Sequence, residues 1–351
     1  MENINLPKAD VLSGVKILEF SAIGPVPWGV HELARMGAQV TRVQPPGRSA
    51  ALSPDADGIT DFGRHSLCLD LKTEAGRDQV RQLIKSHDVL VEGMRPNVME
   101  RLGLSPAICH GINPKLVYAR VTGWGQNGPL AERAGHDINY IALSGALHAI
   151  GPKCGPPAIP LNLLADYGGG GTFMVIGILG GLFKASMTGQ GSIVDVSMLD
   201  GATHLMARHF EHLGAGEWVD QREMNRLDGG APWYSIYRAR CGRYLAVGAI
   251  EPQFYSIFIK GLELDEASLP SREERENWPL LRQIFAQCFL GRTRNAWAEI
   301  FEPLDACVTP VLSMKEALEH PHNVDRKVFL RMNGGRIFVN NAPRFSPMID
   351  M

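Results

Sequence analysis

The fold class follows from residues 15–43, which read VKILEFSAIGPVPWGVHELARMGAQVTRV. Val15–Phe20 is an apolar run typical of a short strand, and Ser21–Pro27 has the composition of a turn. Trp28–Met36 repeats its apolar residues at helical spacing, and Gln39–Val43 is typical of a second strand. A strand, a turn, a helix and a strand in this order predict two parallel strands joined by a right-handed crossover.

The same alternation continues through the first 200 residues. Amphipathic segments such as Ala75–Ser86 separate the further strand-like runs, which are Ser66–Leu69, Val89–Glu92, Leu116–Val121 and Ile193–Ser197. We therefore expect an α/β fold with an open, doubly wound, Rossmann-like large domain. A single core rarely grows beyond roughly 250–300 residues, so a second, smaller α+β domain is also expected. The expected boundaries are 1–200 for the large domain, 201–224 for a linker helix and crossover, 225–310 for the small domain and 311–351 for a C-terminal segment that returns to the large domain.

Composition excludes several classes of protein. Of the 351 residues, 45% are hydrophobic and 21% are charged, and the formal net charge is −2. The chain is thus too apolar for a disordered protein and too evenly charged for a nucleic-acid binder. It has no run of about 18 uncharged apolar residues, so no membrane-spanning helix is expected. The six cysteines form no C-x-x-C pair, which predicts reduced thiols and a cytoplasmic location.

The turn after the first strand does not fit a dinucleotide. Residues Ala22–Pro27 read AIGPVP, with proline and bulky residues where the G-x-G-x-x-G motif requires glycines. The second strand ends in Val43-Gln44-Pro45, which offers no acidic residue to a ribose. A G-x-x-x-x-G-K-[ST] phosphate loop is also missing from the sequence. We therefore expect no bound cofactor.

Three segments carry residues suited to acid–base chemistry. His136 lies in AGHDINY, Asp166 precedes the glycine run Gly168–Gly171, and Glu251 precedes Pro252. Each also has an ordinary structural interpretation, because His136 and Asp166 fit helix caps and Glu251 fits the first turn of a helix. Spacing along the chain leaves open whether the three side chains meet.

A histidine cluster is the only metal-like pattern that the sequence suggests. His204, His209 and His212 surround Glu211. The cluster is not an H-E-x-x-H motif, and the five-residue step from His204 to His209 directs these side chains to different sides of a helix. An exposed helical face is therefore the favoured interpretation, and no metal site is expected.

Long motifs in a conserved order indicate a family. The chain resembles the family III CoA-transferases, and within them the racemases that act on 2-methyl-branched acyl-CoA thioesters. The segments that carry the resemblance span nearly the whole chain and include VLVEGMRPNVMERLGL (89–104), VYARVTGWGQNGP (117–129), AGHDINYIALSGALHAIG (134–151), PLNLLADYGGGG (160–171) and GAIEPQFY (248–255).

The resemblance implies roles for the three acid–base residues. His136 and Asp166 would be two opposed bases, and Glu251 would orient and stabilise the imidazole. The transferase branch also has an aspartate at the place of Asp166, where it attacks an acyl thioester, so an acyl-CoA:carboxylate CoA-transferase with Asp166 as nucleophile is the alternative. Since the transferases carry a non-basic residue at the place of His136, the racemase is favoured. A thioester-binding protein without turnover is the third reading, and the intact trio of residues argues against it.

The chemistry of racemisation suits these residue types. Inverting a carbon next to a thioester requires removal of a proton on one face and return of a proton on the other, so one group must be basic and one protonated. Asp166 must hold a proton part of the time, so we expect its pKa to be raised by partial burial. We also expect backbone N–H groups near Asp166 to meet the enolate oxygen.

The resemblance further implies contacts with the CoA part of the substrate. These fall on Leu69, Asp70, Leu71, Lys72, Gly93, Met94, Arg95, Arg101, Gly135, His136, Asp137, Ile138, Asn139 and Tyr140. The close racemase relatives have an arginine where this chain has Pro45, and Arg48 is the candidate replacement. The resemblance also implies an interlocked homodimer in which Glu251 of one subunit reaches His136 of the other.

Overall fold

The computed structural model describes residues 9–20, 22–47, 63–332 and 335–346. The chain divides into two compact units. The first unit comprises Met1–Ala146, Pro160–Ala207 and Leu330–Met351, and the second comprises Leu147–Ile159 and Arg208–Phe329.

A six-stranded parallel sheet forms the centre of the first unit. Its strands are β1 (Lys16–Phe20), β2 (Gln39–Gln44), β3 (Arg64–Cys68), β4 (Val89–Glu92), β5 (Val117–Thr122) and β6 (Ser192–Ser197). The strand order is β3-β2-β1-β4-β5-β6, and each neighbouring pair is parallel. This is the order of the doubly wound Rossmann sheet, so the predicted fold class is confirmed. The order reverses between β1 and β4, which makes the carboxyl ends of these strands the topological switch point where ligands bind in such sheets.

Helices cover both faces of this sheet. The helices of the first unit are α1 (Pro25–Arg35), α2 (Glu74–Ile84), α3 (Val98–Arg101), α4 (Pro106–Ile112), α5 (Asp137–Leu143), a π-helix (Leu163–Thr172), α7 (Phe173–Thr188) and α8 (Met198–Leu205). The short helix α6 (Ala146–Ala149) begins at the last residue of this part of the first unit and continues into the second. On one face, α1 and α7 bury Val30 and Ile178 against the sheet, and on the other α2 buries Val80. Strands β4 and β5 are buried along their whole length, as expected for a parallel sheet covered on both sides.

The π-helix and α7 form one continuous apolar helix, Leu163–Thr188. Within the described residues it is the one helix whose length of 26 residues and hydropathy of 1.4 would allow it to cross a membrane, by length and composition alone. In the first unit this helix packs closely against the sheet, as shown by Gly181, where an added Cβ would be only 2.7 Å from Val117 on β5. The glycine-rich segment thus packs closely against its neighbours, as its composition predicts. The expected absence of a membrane-spanning helix stays a prediction.

The second unit contains a three-stranded antiparallel sheet and a layer of helices. The strands β7 (Tyr234–Arg238), β8 (Tyr244–Gly248) and β9 (Val308–Pro310) pair in the order β7-β8-β9. The helices are α9 (Ala207–Gly214), which begins at the end of the first unit, α10 (Pro252–Gly261), α11 (Trp278–Phe289), α12 (Arg294–Phe301), α13 (Met314–Ala317) and α14 (Pro321–Asp325), with two 3-10 helices at Glu266–Ser268 and Arg275–Asn277. Aromatic side chains such as Trp233, Phe258 and Phe285 form its core. Two short strands, β10 (Phe329–Arg331) and β11 (Ile337–Val339), pair where the chain returns to the first unit.

The boundaries of the two units differ from those expected from the sequence. The chain returns to the first unit at residue 330 rather than 311. The reason is that Arg294 binds Glu316 at 2.7 Å and donates to the Val311 carbonyl at 3.0 Å, which ties this segment to the second unit. Residues 147–159 also belong to the second unit, because Arg222 donates to three of their carbonyl groups.

Candidate active site

His136 is the N-cap residue of α5. Its backbone is extended, with φ −132° and ψ 172°, and its N–H donates to Asn139 Oδ1 at 3.1 Å. The Asn139 N–H in turn donates to the His136 carbonyl at 2.8 Å. These two bonds fix the backbone of His136 and leave its side chain exposed in this chain. The imidazole is therefore accessible to a ligand.

Asp137 links the start of α5 to the π-helix. Its side chain is buried, and its Oδ2 accepts the N–H groups of Ala165 at 2.7 Å and of Asp166 at 2.8 Å. Because Asp137 directly follows His136, the two bonds bring the His136 segment and the Asp166 segment together. The structure thus brings together the segments of two predicted acid–base residues that are 30 positions apart in the sequence.

Asp166 lies at the switch point of the sheet, in the first turn of the π-helix. A Cβ at Gly24, in the turn after β1, would be 3.7 Å from Asp166 Oδ2. Gly24 has a φ of +70°, a left-handed conformation that glycine adopts without strain. On its other side, Asp166 Oδ2 accepts a hydrogen bond from Asn162 Nδ2 at 3.1 Å. The sequence motifs did not single out Gly24 or Asn162, although a glycine between two bulky turn residues was a visible signal.

Burial raises the pKa of Asp166 above its ordinary value of 3.8. The hydrogen bond from Asn162 and the charge of His136 act in the opposite direction, and the negative charge of Asp137 adds to the rise. The expected direction of this pKa shift and its expected cause, partial burial, are therefore both found. A carboxyl group with a raised pKa is better able to hold and return a proton near neutral pH.

Tyr140 forms one wall beside Asp166. Its ring lies edge-on to Trp124, with 4.7 Å between the centroids, and a Cβ at Gly135 would be 2.8 Å from the Tyr140 ring. Burial and the negative charge of Asp166 raise the pKa of Tyr140 to about 12, so the phenol stays protonated. Trp124, which lies within the motif VTGWGQ, was not predicted as a site residue.

The predicted CoA-contacting segments share one edge of the sheet. Leu69–Lys72 follow β3, and Gly93–Arg95 follow β4, so both lie at the carboxyl ends of parallel strands. Glu92 Oε2 accepts the Met94 N–H at 2.7 Å and thereby fixes the second loop. Arg101 is the last residue of α3.

Three cations on these segments are exposed. They are Lys72, Arg95 and Arg101, and in the part of the chain that the structure describes no hydrogen bond or ion pair engages their side chains. Cations of this kind are suited to phosphate groups. Arg48, the candidate replacement for the arginine missing at Pro45, lies outside the described residues.

Glu251 belongs to the second unit, where it is the N-cap of α10 and Pro252 occupies the first helical position. Its side chain makes no capping hydrogen bond and is exposed, so it is not used to hold the helix. Its contact with His136 stays a prediction.

The histidine cluster does not converge. The His204 ring packs edge-on against Phe173, the His209 ring packs against Trp218, and His212 Nδ1 lies 2.6 Å from Glu217 Oε2. The three rings therefore contact different partners. Among the described residues, no group of three or more His, Cys, Asp or Glu side chains is arranged to hold a metal ion.

Comparison with known proteins identifies the family. The family model described as CoA-transferase family III matches residues 12–348 of this chain. The chain belongs to CoA-transferase family III. The predicted family resemblance is thereby confirmed.

Relatives within CoA-transferase family III include well-matched racemases. The chain is 42% identical to a human protein named alpha-methylacyl-CoA racemase over 338 residues, which cover 96% of this chain and 86% of the relative. It is 43% identical to the mouse protein of the same name over 339 residues, which cover 97% of this chain and 86% of the relative. The crystal structure of Rv3272 from Mycobacterium tuberculosis has the same fold, with a TM-score of 0.80 at 23% identity, and the match covers 97% of this chain and 94% of that one.

Proposed function

We propose that this family III protein is a racemase that inverts the α-carbon of 2-methyl-branched acyl-CoA thioesters by 1,1-proton transfer. The observation that supports the proposal is the link through Asp137, which joins the segment of His136 to the segment of Asp166, whose carboxyl group lies near Gly24 after β1. An imidazole and a carboxyl group with a raised pKa are a suitable pair for abstracting and returning a proton. The identity of 42–43% to proteins named alpha-methylacyl-CoA racemase supports the same function.

The proposed reaction proceeds through an enolate. Neutral His136 takes the proton from the α-carbon. The electron pair of the broken C–H bond forms the C–C double bond of the enolate, and the C–O π pair of the thioester moves onto its oxygen. Protonated Asp166 then gives its proton to the opposite face of the α-carbon, and the C–O π bond of the thioester forms again. For the other enantiomer the two residues exchange roles, and both return to their starting protonation states through water.

The enolate oxygen requires hydrogen-bond donors, and the expectation that backbone N–H groups near Asp166 supply them stays a prediction. The N–H groups of Ala165 and Asp166 already donate to Asp137, so they are not available. In the part of the chain that the structure describes, the N–H groups of Asp137 and Ile138 in the first turn of α5 donate to no protein acceptor. We therefore propose these N–H groups, which lie next to His136, as the donors to the enolate oxygen.

The acyl-CoA would bind along the carboxyl edge of the sheet. Lys72, Arg95 and Arg101 are the exposed cations on this edge that suit phosphate groups. No separate cofactor is proposed, because the CoA moiety arrives as part of the substrate. The six cysteines are all free, which is consistent with the proposed cytoplasmic location.

A homodimer is proposed as the working form. The exposed fraction is 55% for Ile176, 70% for Phe183 and 72% for Met187. These three residues recur at helical spacing on α7, so they form an apolar face that association with a second copy would cover. The proposed contact of Glu251 with His136 across the two subunits belongs to the same assembly.

The decisive experiment is incubation of the protein with one pure 2-methylacyl-CoA enantiomer in deuterated water. Racemisation with deuterium uptake at the α-carbon supports the racemase. Transfer of the CoA group to a carboxylate without α-deuterium uptake would instead establish the transferase, in which Asp166 is the nucleophile. Binding of the acyl-CoA without either reaction would instead support a thioester-binding protein without turnover.

Two variants test the assigned roles. His136→Ala and Asp166→Ala should each lower the racemisation rate by about 10²–10⁴-fold, because each removes one positioned acid–base group. Each variant should retain more α-proton exchange with one enantiomer than with the other, and the two preferences should be opposite. His110→Ala, at a histidine on α4 that lies outside the site, is the control. Full acyl transfer by His136→Ala, together with no α-proton exchange in the parent protein, would contradict the proposal.

A further inference from the structure

The Asp137 side chain is a buried carboxylate with an unusual set of partners. It is 4% exposed, and its Oδ2 accepts two backbone N–H groups, at 2.7 Å from Ala165 and at 2.8 Å from Asp166. Within the described residues its other oxygen, Oδ1, is buried without a hydrogen-bond partner. Burial of a charged group is unfavourable unless other groups compensate it, so these two bonds are the main compensation that the protein provides.

The π-helix explains why two N–H groups are available at this point. The first N–H groups of a helix have no acceptor within the helix, and in a π-helix the bonds span five residues, so more of them lack an acceptor. Ala165 and Asp166 lie in this first turn. The N-cap residue Asn162 makes no capping bond, because its side chain donates to Asp166 Oδ2 instead. Asp137 therefore caps the π-helix from another element of the fold.

The position of Asp137 in the sequence gives this cap a consequence for the site. Asp137 is the first residue of α5 and directly follows His136, the N-cap residue. A shift of its carboxylate therefore changes the distance between the backbones that present His136 and Asp166. Among the residues that the structure describes, no other hydrogen bond joins these two segments.

We propose that Asp137 is a positioning residue whose carboxylate, by capping the π-helix, sets the separation between His136 and Asp166. The inference rests on the proposed racemase function, since it concerns the spacing of the two proton-transfer groups. The negative charge of Asp137 has a second effect, because it favours the protonated form of Asp166. The other groups that face Asp166 are the amide of Asn162, the imidazole of His136 and the phenol of Tyr140.

The test compares Asp137→Ala with Asp137→Asn. The alanine variant loses both bonds, and a misplacement of about 1 Å is expected to lower kcat by about 10²-fold. KM should change less than kcat, because the variant keeps the backbone N–H of residue 137 and the cations that suit the CoA phosphates. The asparagine variant keeps an oxygen that accepts both N–H groups, so it should recover most of kcat. Because it lacks the charge, the limb of its pH–rate profile that reports Asp166 should move to lower pH.

Hydrogen exchange provides a measurement that does not depend on activity. The amides of Ala165 and Asp166 should exchange faster in Asp137→Ala than in the parent and regain protection in Asp137→Asn. Asn113→Ala is the matched control, since Asn113 also makes two hydrogen bonds to backbone groups of other elements, at 3.1 and 2.9 Å, but lies before β5 at the opposite edge of the sheet. It should lose stability and keep its kcat and its pH profile.

The outcomes separate the inference from the proposed function. Unchanged exchange of the two amides in Asp137→Ala, or parental kcat in that variant, would overturn the inference even if the protein is a racemase. If Asp137→Ala does not fold, faster exchange of the Ala165 and Asp166 amides in Asp137→Asn together with parental kcat would overturn it. The absence of α-proton exchange in the parent would instead contradict the proposed function, and the amide measurement would still decide whether Asp137 caps the π-helix.

Discussion

Replacement of Gly201 by alanine should disturb the site through packing alone. Gly201 lies in α8, where its backbone touches the backbone of the π-helix. A Cβ added at Gly201 would overlap the carbonyl oxygen of Gly169 and lie 2.6 Å from the carbonyl carbon, whereas ordinary contacts begin at 3.4 Å. The two backbones must therefore separate by at least the difference, 0.8 Å, because the carbonyl oxygen is closer still. No flexible side chain is present at this contact to absorb the shift.

The expected change in the free energy of unfolding of Gly201→Ala combines two opposing effects. Alanine stabilises a helix interior by about 0.5–1 kcal/mol relative to glycine, and overpacking in a well-packed core costs about 1–3 kcal/mol. Because backbone atoms on both sides resist the shift, we expect the upper end of the cost and a net loss of about 2 kcal/mol in the free energy of unfolding. Asp166 lies three residues before Gly169 in the same helix, so a shift of nearly 1 Å should lower kcat by about 10²-fold.

Urea unfolding and the rate of α-proton exchange measure the two effects. Gly111→Ala is the control, because Gly111 lies in α4 and a Cβ there would meet nothing within 4 Å. This control should be as active as the parent and equally or more stable. If Gly201→Ala equals the parent in both stability and kcat, then close contact between α8 and the π-helix does not fix the position of Asp166, and the reasoning fails.

Two further predictions concern pH and stability. Burial raises the pKa of Asp166, so the folded state binds the carboxyl proton of Asp166 more tightly than the unfolded state does. The free energy of unfolding therefore falls as the pH rises above 3.8, the ordinary pKa of this group, because the ionised carboxylate is less favourable in the folded state. Asp166→Asn should therefore be more stable than the parent at pH 7, although its racemisation rate falls as in Asp166→Ala. The stability difference should vanish near pH 3 in urea titrations, and a less stable variant at pH 7 would contradict this. The hydrogen bond from Arg294 lowers the pKa of Glu316 from its ordinary value of 4.5 to about 2. The pair therefore stabilises the folded protein at pH values above 4.5, and this stabilisation is lost as the pH falls from 4.5 towards 2. Glu316→Gln should accordingly be less stable than the parent at pH 7, and a stability difference that does not shrink over this acidic range would refute the assignment.

Sequence patterns were sufficient for the fold because its elements are locally encoded. The strand predicted at Val89–Glu92 has the same bounds in the structure, and the others differ by one or two residues. The apolar runs of β4 and β5 are buried on both sides, as in parallel sheets generally. The domain boundaries were less predictable, since the assignment of residues 311–329 depends on the binding of Arg294 to Glu316 rather than on any local pattern.

Buried charges show where local patterns are insufficient. Glu19 is 1% exposed in the middle of an apolar strand, where it binds Arg42 at 3.2 Å and Arg64 at 2.6 Å. The three residues come from three different strands. Only the order β3-β2-β1 brings them together.

The sequence by itself determined the alternation of strands and helices and the family, and it supplied the three candidate acid–base residues, because periodicity and motifs are properties of neighbouring positions. Only the tertiary structure decided that the segments of His136 and Asp166 lie together, that Asp137 joins them, and that the N–H groups of Ala165 and Asp166 are already bound. Hydrogen bonds between residues that are 28 and 29 positions apart follow from how helices pack at the edge of the sheet, and no local spacing encodes that geometry.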